Sequence, residues 1–61
     1  MTESFQIDTH IYTVFGDALI GTEYPVSFVG SQETTDILAE EYEQINDCHL
    51  QYLGVWREYR E

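Results

Sequence analysis

Cys48–Tyr59 reads CHLQYLGVWREY, and whether this stretch is strand or helix decides the fold. As a strand, Leu50 and Tyr52 share one face, Leu53 and Val55 lie on the other, and Gly54 marks a bulge where the faces swap. As a helix, His49, Tyr52, Leu53 and Trp56 continue an apolar face begun upstream by Leu38, Tyr42 and Ile45. A continuous helix over residues 33–60 would run about 42 Å at 1.5 Å per residue, more than a chain of 61 residues covers by itself. Asn46, Asp47 and Gly54 are poor helix-interior residues, and the aromatics that follow favour a strand. The strand is therefore the preferred reading. The alternative is a β-hairpin followed by a long or broken helix that dimerises through its apolar face.

Upstream, residues 33–45 are rich in Glu, Leu, Ala and Gln, which predicts a helix. Ser31 or Thr34 can cap it, with acids close behind to favour its N-terminus. Leu38, Tyr42 and Ile45 fall on one side and are expected to pack. Glu33, Asp36, Glu40, Glu43 and Asp47 recur at spacings of three and four residues and form a stripe, which at about 100° per residue lies almost opposite that apolar side.

Further upstream, Phe5–Phe15 alternates. Phe5, Ile7, Ile11 and Phe15 point one way with Thr9 and Thr13 between them, while Gln6, Asp8 and His10 point the other, interrupted by Tyr12 and Val14. That is the pattern of a half-buried strand. Gly16-Asp17 and Gly21-Thr22 mark turns, with Ala18-Leu19-Ile20 between them either extending the hairpin or closing over the core. Tyr24–Val29 reads as a second strand with Tyr24, Val26 and Phe28 on one face. Pro25 places it at a sheet edge, or starts it after the proline. The expected fold is α+β: one small ββαβ domain over residues 1–61, with one amphipathic helix packed on an antiparallel sheet and residues 1–4 disordered.

Two arginines and no lysine stand against twelve acids, giving a net charge of −10. Direct nucleic-acid binding needs Lys and Arg to neutralise phosphates, so neither nucleic acid nor an anionic membrane is an expected partner. A basic protein is, including one that itself binds nucleic acid. Adaptation to high salt is a rival source of acidity; eight of the twelve acids are Glu. The single cysteine, Cys48, fits a reducing compartment. Met1 to Gln6 lacks the pattern of a signal peptide, and no apolar run nears the ~20 residues of a membrane span. A cytoplasmic protein is expected, in the host cytoplasm if the chain is viral.

No catalytic residue, metal or cofactor is expected. His10, Cys48 and His49 lack structural zinc spacing, Ser27 and Ser31 lack a nucleophile context, and Gly16, Gly21, Gly30 and Gly54 are too scattered to cradle a phosphate. Candidate partner-binding residues are the stripe (Glu33, Asp36, Glu40, Glu43, Asp47) together with Tyr52 and Tyr59, since Tyr is enriched at interface hot spots. Trp56 is expected to anchor the core. Stripe acids recur every ~4.5–6 Å along the helix axis, sparser than the ~3.4 Å phosphate repeat of one DNA strand. A DNA mimic would need Glu41, Glu23, Asp17 and Asp8 folded alongside.

In size, acidity and ββαβ order the chain resembles small phage-encoded host-takeover proteins, such as inhibitors of RNA polymerase or of uracil-DNA glycosylase, and some anti-CRISPR proteins. The resemblance is one of overall pattern and carries over no residue. It implies an inhibitor or regulator that docks on a basic, nucleic-acid-binding surface. The alternative is a homo-oligomeric assembly module, possible as a homodimer, whose acidity serves only solubility.

Overall fold

The computed structural model describes residues 5–60; the disorder expected of residues 1–4 lies outside that range. The elements are β1 (Phe5–Phe15), β2 (Tyr24–Val29), α1 (Gln32–Asn46) and β3 (His49–Arg60). The three strands form one antiparallel sheet in the order β2-β1-β3, and α1 lies across one side. The architecture is the expected α+β, ββαβ fold.

Residues 48–59 extend because the helix is stopped before them. Asp47 adopts a left-handed conformation (φ 48°, ψ 58°) and its N–H returns to the Glu43 carbonyl, satisfying an orphan acceptor of the last turn. The chain then reverses into β3, which pairs along all of β1 from Phe15↔His49 to Phe5↔Arg60. The register shifts between Ile11↔Gly54 and Tyr12↔Tyr52, leaving Leu53 as the extra residue. This is the bulge that Gly54 signals in sequence. It returns Val55 to the same side as Leu50 and Tyr52, opposite His10.

At its other end the helix is capped by Ser31, whose Oγ accepts from the Thr34 N–H at 3.3 Å. Gly30, at φ 145°, makes the corner out of β2 and donates its N–H to the Asp8 carbonyl. β2 is an edge strand that includes Pro25, paired opposite Thr13.

The side of β1 that the helix covers differs from the sequence expectation. Tyr12 and Val14 are buried with Leu50 and Ala39, and Tyr24, Val26, Phe28, Tyr42 and Cys48 pack around them. The covered side is thus His10, Tyr12 and Val14, while Phe5, Ile7, Ile11 and Phe15 point to the side away from the helix. Hydroxyls explain the choice. The covered side is built from Tyr12, Tyr24, Tyr42 and Tyr52; the rings of Tyr12, Tyr42 and Tyr52 pack at centroid distances of 5.3–6.2 Å against one another, His10 or Phe28. Each of these tyrosine hydroxyls has a hydrogen-bond partner. Aromatic residues with a polar tip bury well only when that tip is bonded, and the helix side supplies the partners.

The helix packs through small residues. Thr35 and Ala39 are its buried positions, flanked by Tyr42, and short side chains let its axis approach the sheet. Leu38 is half-exposed and Ile45 is 80% exposed, so the packing side is rotated from the expected Leu38, Tyr42 and Ile45 side. Leu19 neither extends the hairpin nor closes the core: it sits in the Gly16–Glu23 turn, 97% exposed.

Candidate functional site

The stripe divides in two once its residues are placed. Taking the packing side at Thr35, Ala39 and Tyr42, about 100° per residue sets Asp36 and Glu43 at its flank and Glu33 and Glu40 further round. Asp36 Oδ1 accepts from the Tyr12 hydroxyl at 3.2 Å. Glu43 Oε2 accepts the Leu50 N–H at 2.6 Å and stands 3.2 Å from His49 Nδ1. Asp47 lies beyond the helix as its C-cap. These three acids tie the helix to the sheet or close its end, so the expected position of the whole stripe opposite the packing side is corrected.

Glu33, Glu40 and Glu41 are exposed, with no ion-pair or hydrogen-bond partner among the described residues. Helical spacing places Ile37 four residues after Glu33, three before Glu40 and four before Glu41, in the middle of this outer surface. Ile37 is exposed. In protein association, surface charge speeds encounter and an apolar side chain within it slows dissociation. Sequence reasoning missed Ile37 because it belongs to neither the stripe nor the expected apolar side. The signal was its spacing to Glu33 and Glu41.

Two of the hairpin carboxylates, Asp8 and Asp17, are engaged within the fold and are not part of this surface. Asp8 is held by Arg57, with Nε–Oδ1 at 3.0 Å and Nη2–Oδ2 at 3.4 Å, which keeps its carboxyl below the usual range. Asp17 is buried. It accepts from the Tyr24 hydroxyl at 2.7 Å and from the Leu19 N–H at 3.0 Å, and the Tyr24 bond, with backbone N–H groups of Leu19 and Ile20 behind it, depresses its pKa. Tyr24 also lies 2.7 Å from the Tyr42 hydroxyl. Because Tyr24 donates to Asp17, Tyr42 donates to Tyr24, and this chain joins turn, β2 and helix. Its bonds to Tyr42 and Asp17 push the Tyr24 phenol well above its ordinary value.

The aromatic candidates separate as well. Tyr52 is on the helix side of β3, its hydroxyl 2.9 Å from His10 Nδ1. Tyr59, opposite Gln6 and 71% exposed, stands on the arm where β1 and β3 continue past the end of β2. Neither is brought next to the outer helix surface by the sheet order. Trp56 pairs with Thr9 on the side away from the helix and is 63% exposed, so it does not anchor the core.

His10 is buried at 3% exposure, and its Nε2 has no hydrogen-bond partner among the described residues. Burial pushes the Cys48 thiol up, reinforced by Asp17, Glu43 and Asp47, which favours its protonated form. Among the described residues no group of three His, Cys, Asp or Glu side chains is arranged to hold a metal ion, and no helix is long and apolar enough to cross a membrane. No protein family, curated protein or solved structure matches the chain.

Proposed function

We propose that this chain is a small acidic binding protein that docks the outer surface of α1 on a basic surface of another protein, one that otherwise holds nucleic acid, and so inhibits or regulates it. The observation that carries the reading is the composition of α1: five acids and no basic residue over Gln32–Asn46, four of them exposed, of which Glu33, Glu40 and Glu41 surround Ile37 with no partner among the described residues. The surface resembles phosphate in sign only. With Asp8 and Asp17 engaged elsewhere, it is a charged strip with an apolar centre rather than a close copy of a DNA backbone.

Charge of this kind speeds association more than it holds a complex together, which assigns the slow off-rate to Ile37 and its surroundings. The test is capture from a bacterial lysate at low and high salt, with captured proteins identified and challenged with duplex DNA. Nucleic-acid-binding proteins should be retained at low salt, released by salt and displaced by DNA. Replacing Glu33, Glu40 and Glu41 together by Gln should weaken retention at least about tenfold. Retention unchanged by that triple substitution refutes the reading. The other reading, an assembly module, draws support from the uncovered sheet and not from the helix. The two are compatible, because they use opposite sides of the molecule.

A further inference from the structure

A sheet covered on one side only is half of a two-layer fold. On β1 the uncovered side is the more apolar one. Ile7, Ile11 and Phe15 of β1 are flanked there by Pro25 and Val29 of β2 and by Trp56 of β3. Between Ile11, Pro25 and Trp56 runs a shallow depression of about 320 Å³ with a mostly apolar lining. From this geometry we infer that the uncovered side is a homodimer interface, occupied by the same side of a second copy stacked across a two-fold axis.

Three observations select a second copy. The first is charge. In a chain of net charge −10, the charged strand residues on this side are Glu58 and Arg60, which pair with each other at 3.5 Å. His49 is the remaining titratable strand residue there. The helical acids all lie on the opposite side of the sheet. Two copies therefore meet here without bringing their acidic surfaces together, whereas any contact through the helices would oppose like charge.

The second is the size of the core. Among the described residues the buried apolar ones are Tyr12, Val14, Ala39 and Leu50, a small set even for a chain of 61 residues. Domains of this size commonly draw further stability from an oligomer, and a second copy is the partner always present as the chain folds.

The third is area. Strands of 11, 6 and 12 residues, at about 3.3 Å per residue and 4.8 Å between strands, present roughly 450 Å² in projection. Two such faces bury roughly 1,000 Å² once side-chain relief is included, at the lower bound for a specific interface. The inference does not depend on the proposed partner of the helix. The dimer would display two outer helix surfaces on opposite sides of a four-layer particle.

Trp56 is the chain's single tryptophan, so intrinsic fluorescence reports on this face. Sedimentation velocity and fluorescence are measured on the full chain over a dilution series at low and high salt. The expected result is a particle of twice the 7.2 kDa chain mass, with blue-shifted emission that moves red on dilution and an affinity that holds or rises with salt. Trp56→Glu, at an exposed strand position, should weaken association at least about a hundredfold and leave a folded monomer by circular dichroism. If Trp56→Glu fails to fold, Ile7→Thr, which keeps strand propensity, should weaken it about tenfold. A monomer at every concentration overturns the inference. So does a dimer whose tryptophan emission stays solvent-like, since that dimer pairs through a strand edge, and so does a dimer that dissociates as salt rises.

Discussion

Replacing Glu43 by Ala should destabilise the fold by about 2 kcal/mol, although Glu43 looks in sequence like any member of an acidic stripe. Its carboxylate accepts the Leu50 N–H at 2.6 Å on the side of β3 away from β1, and the Glu43 side chain is 28% exposed. A hydrogen bond to a charged acceptor contributes roughly 1.5–3 kcal/mol, and removing the acceptor leaves a partly buried donor unmet. The nearby His49 is well exposed, and pairs of that kind contribute little, so nearly all of the loss comes from the Leu50 amide. For a domain of this size the loss corresponds to a fall in Tm of roughly 10 °C. Glu43→Gln retains a neutral acceptor and should lose about half as much. Glu40→Ala, on the outer surface, should stay within about 0.5 kcal/mol of the parent, as should His49→Ala. Thermal and urea unfolding of the four variants, followed by circular dichroism, measure this directly. Equal stabilities of Glu43→Ala and Glu40→Ala would refute the division of the stripe into structural and docking acids.

Other expectations use the same measurements. Asp47→Gly should raise Tm by several degrees, because glycine adopts the left-handed C-cap conformation without strain and an acid there opposes the helix dipole; a lower Tm would contradict the cap assignment. Asp17 has its carboxyl held below its ordinary value of 3.8 by Tyr24, so its ionised form stabilises the fold above about pH 4, and that stabilisation is lost as pH falls through the depressed folded-state value. Asp17→Asn should therefore make stability less steep between pH 4 and more acidic conditions in urea titrations, while a steeper curve would contradict the sign. Ile37→Ser should leave urea stability nearly unchanged and raise the off-rate of a captured basic partner at least about tenfold in surface plasmon resonance. An unchanged off-rate removes Ile37 from the docking surface.

Periodicity and local chemistry made the elements legible. Alternation marked Phe5–Phe15, proline placed Tyr24–Val29 at an edge, and Asn46, Asp47 and Gly54 argued against a helix through the tail. Even the bulge was visible, since only a change of face reconciles Leu50 and Tyr52 with Val55. What alternation does not contain is which of two faces another element will cover. Counting apolar residues favours Phe5, Ile7, Ile11 and Phe15. The helix instead covers His10, Tyr12 and Val14, because Thr35, Asp36 and Tyr42 on the helix and Asp17 in the turn meet the hydroxyls on that side, and Thr35 and Ala39 are short enough to sit close. The helix partners are 18–24 residues from Tyr12 or Tyr24 in the chain, beyond the reach of any local pattern.

That reversal also decides how the site should be read. An acidic stripe opposite the packing side would have offered five equivalent carboxylates. Rotating the helix to seat Thr35 and Ala39 draws Asp36 and Glu43 into the sheet contact and turns Ile37 outward among Glu33, Glu40 and Glu41. The same event leaves the Ile7, Ile11 and Phe15 side of the sheet bare and free of the helical acids. The charge distribution and the uncovered face are thus two consequences of one packing choice, in which hydrogen-bonded tyrosines outweighed the larger apolar count on the other side of β1. Neutralising helix acids should therefore change heterologous binding and leave self-association in place, while Trp56→Glu should do the reverse. If either substitution moves both readouts by the same factor, the two sides of the molecule are not the independent surfaces that this packing makes them.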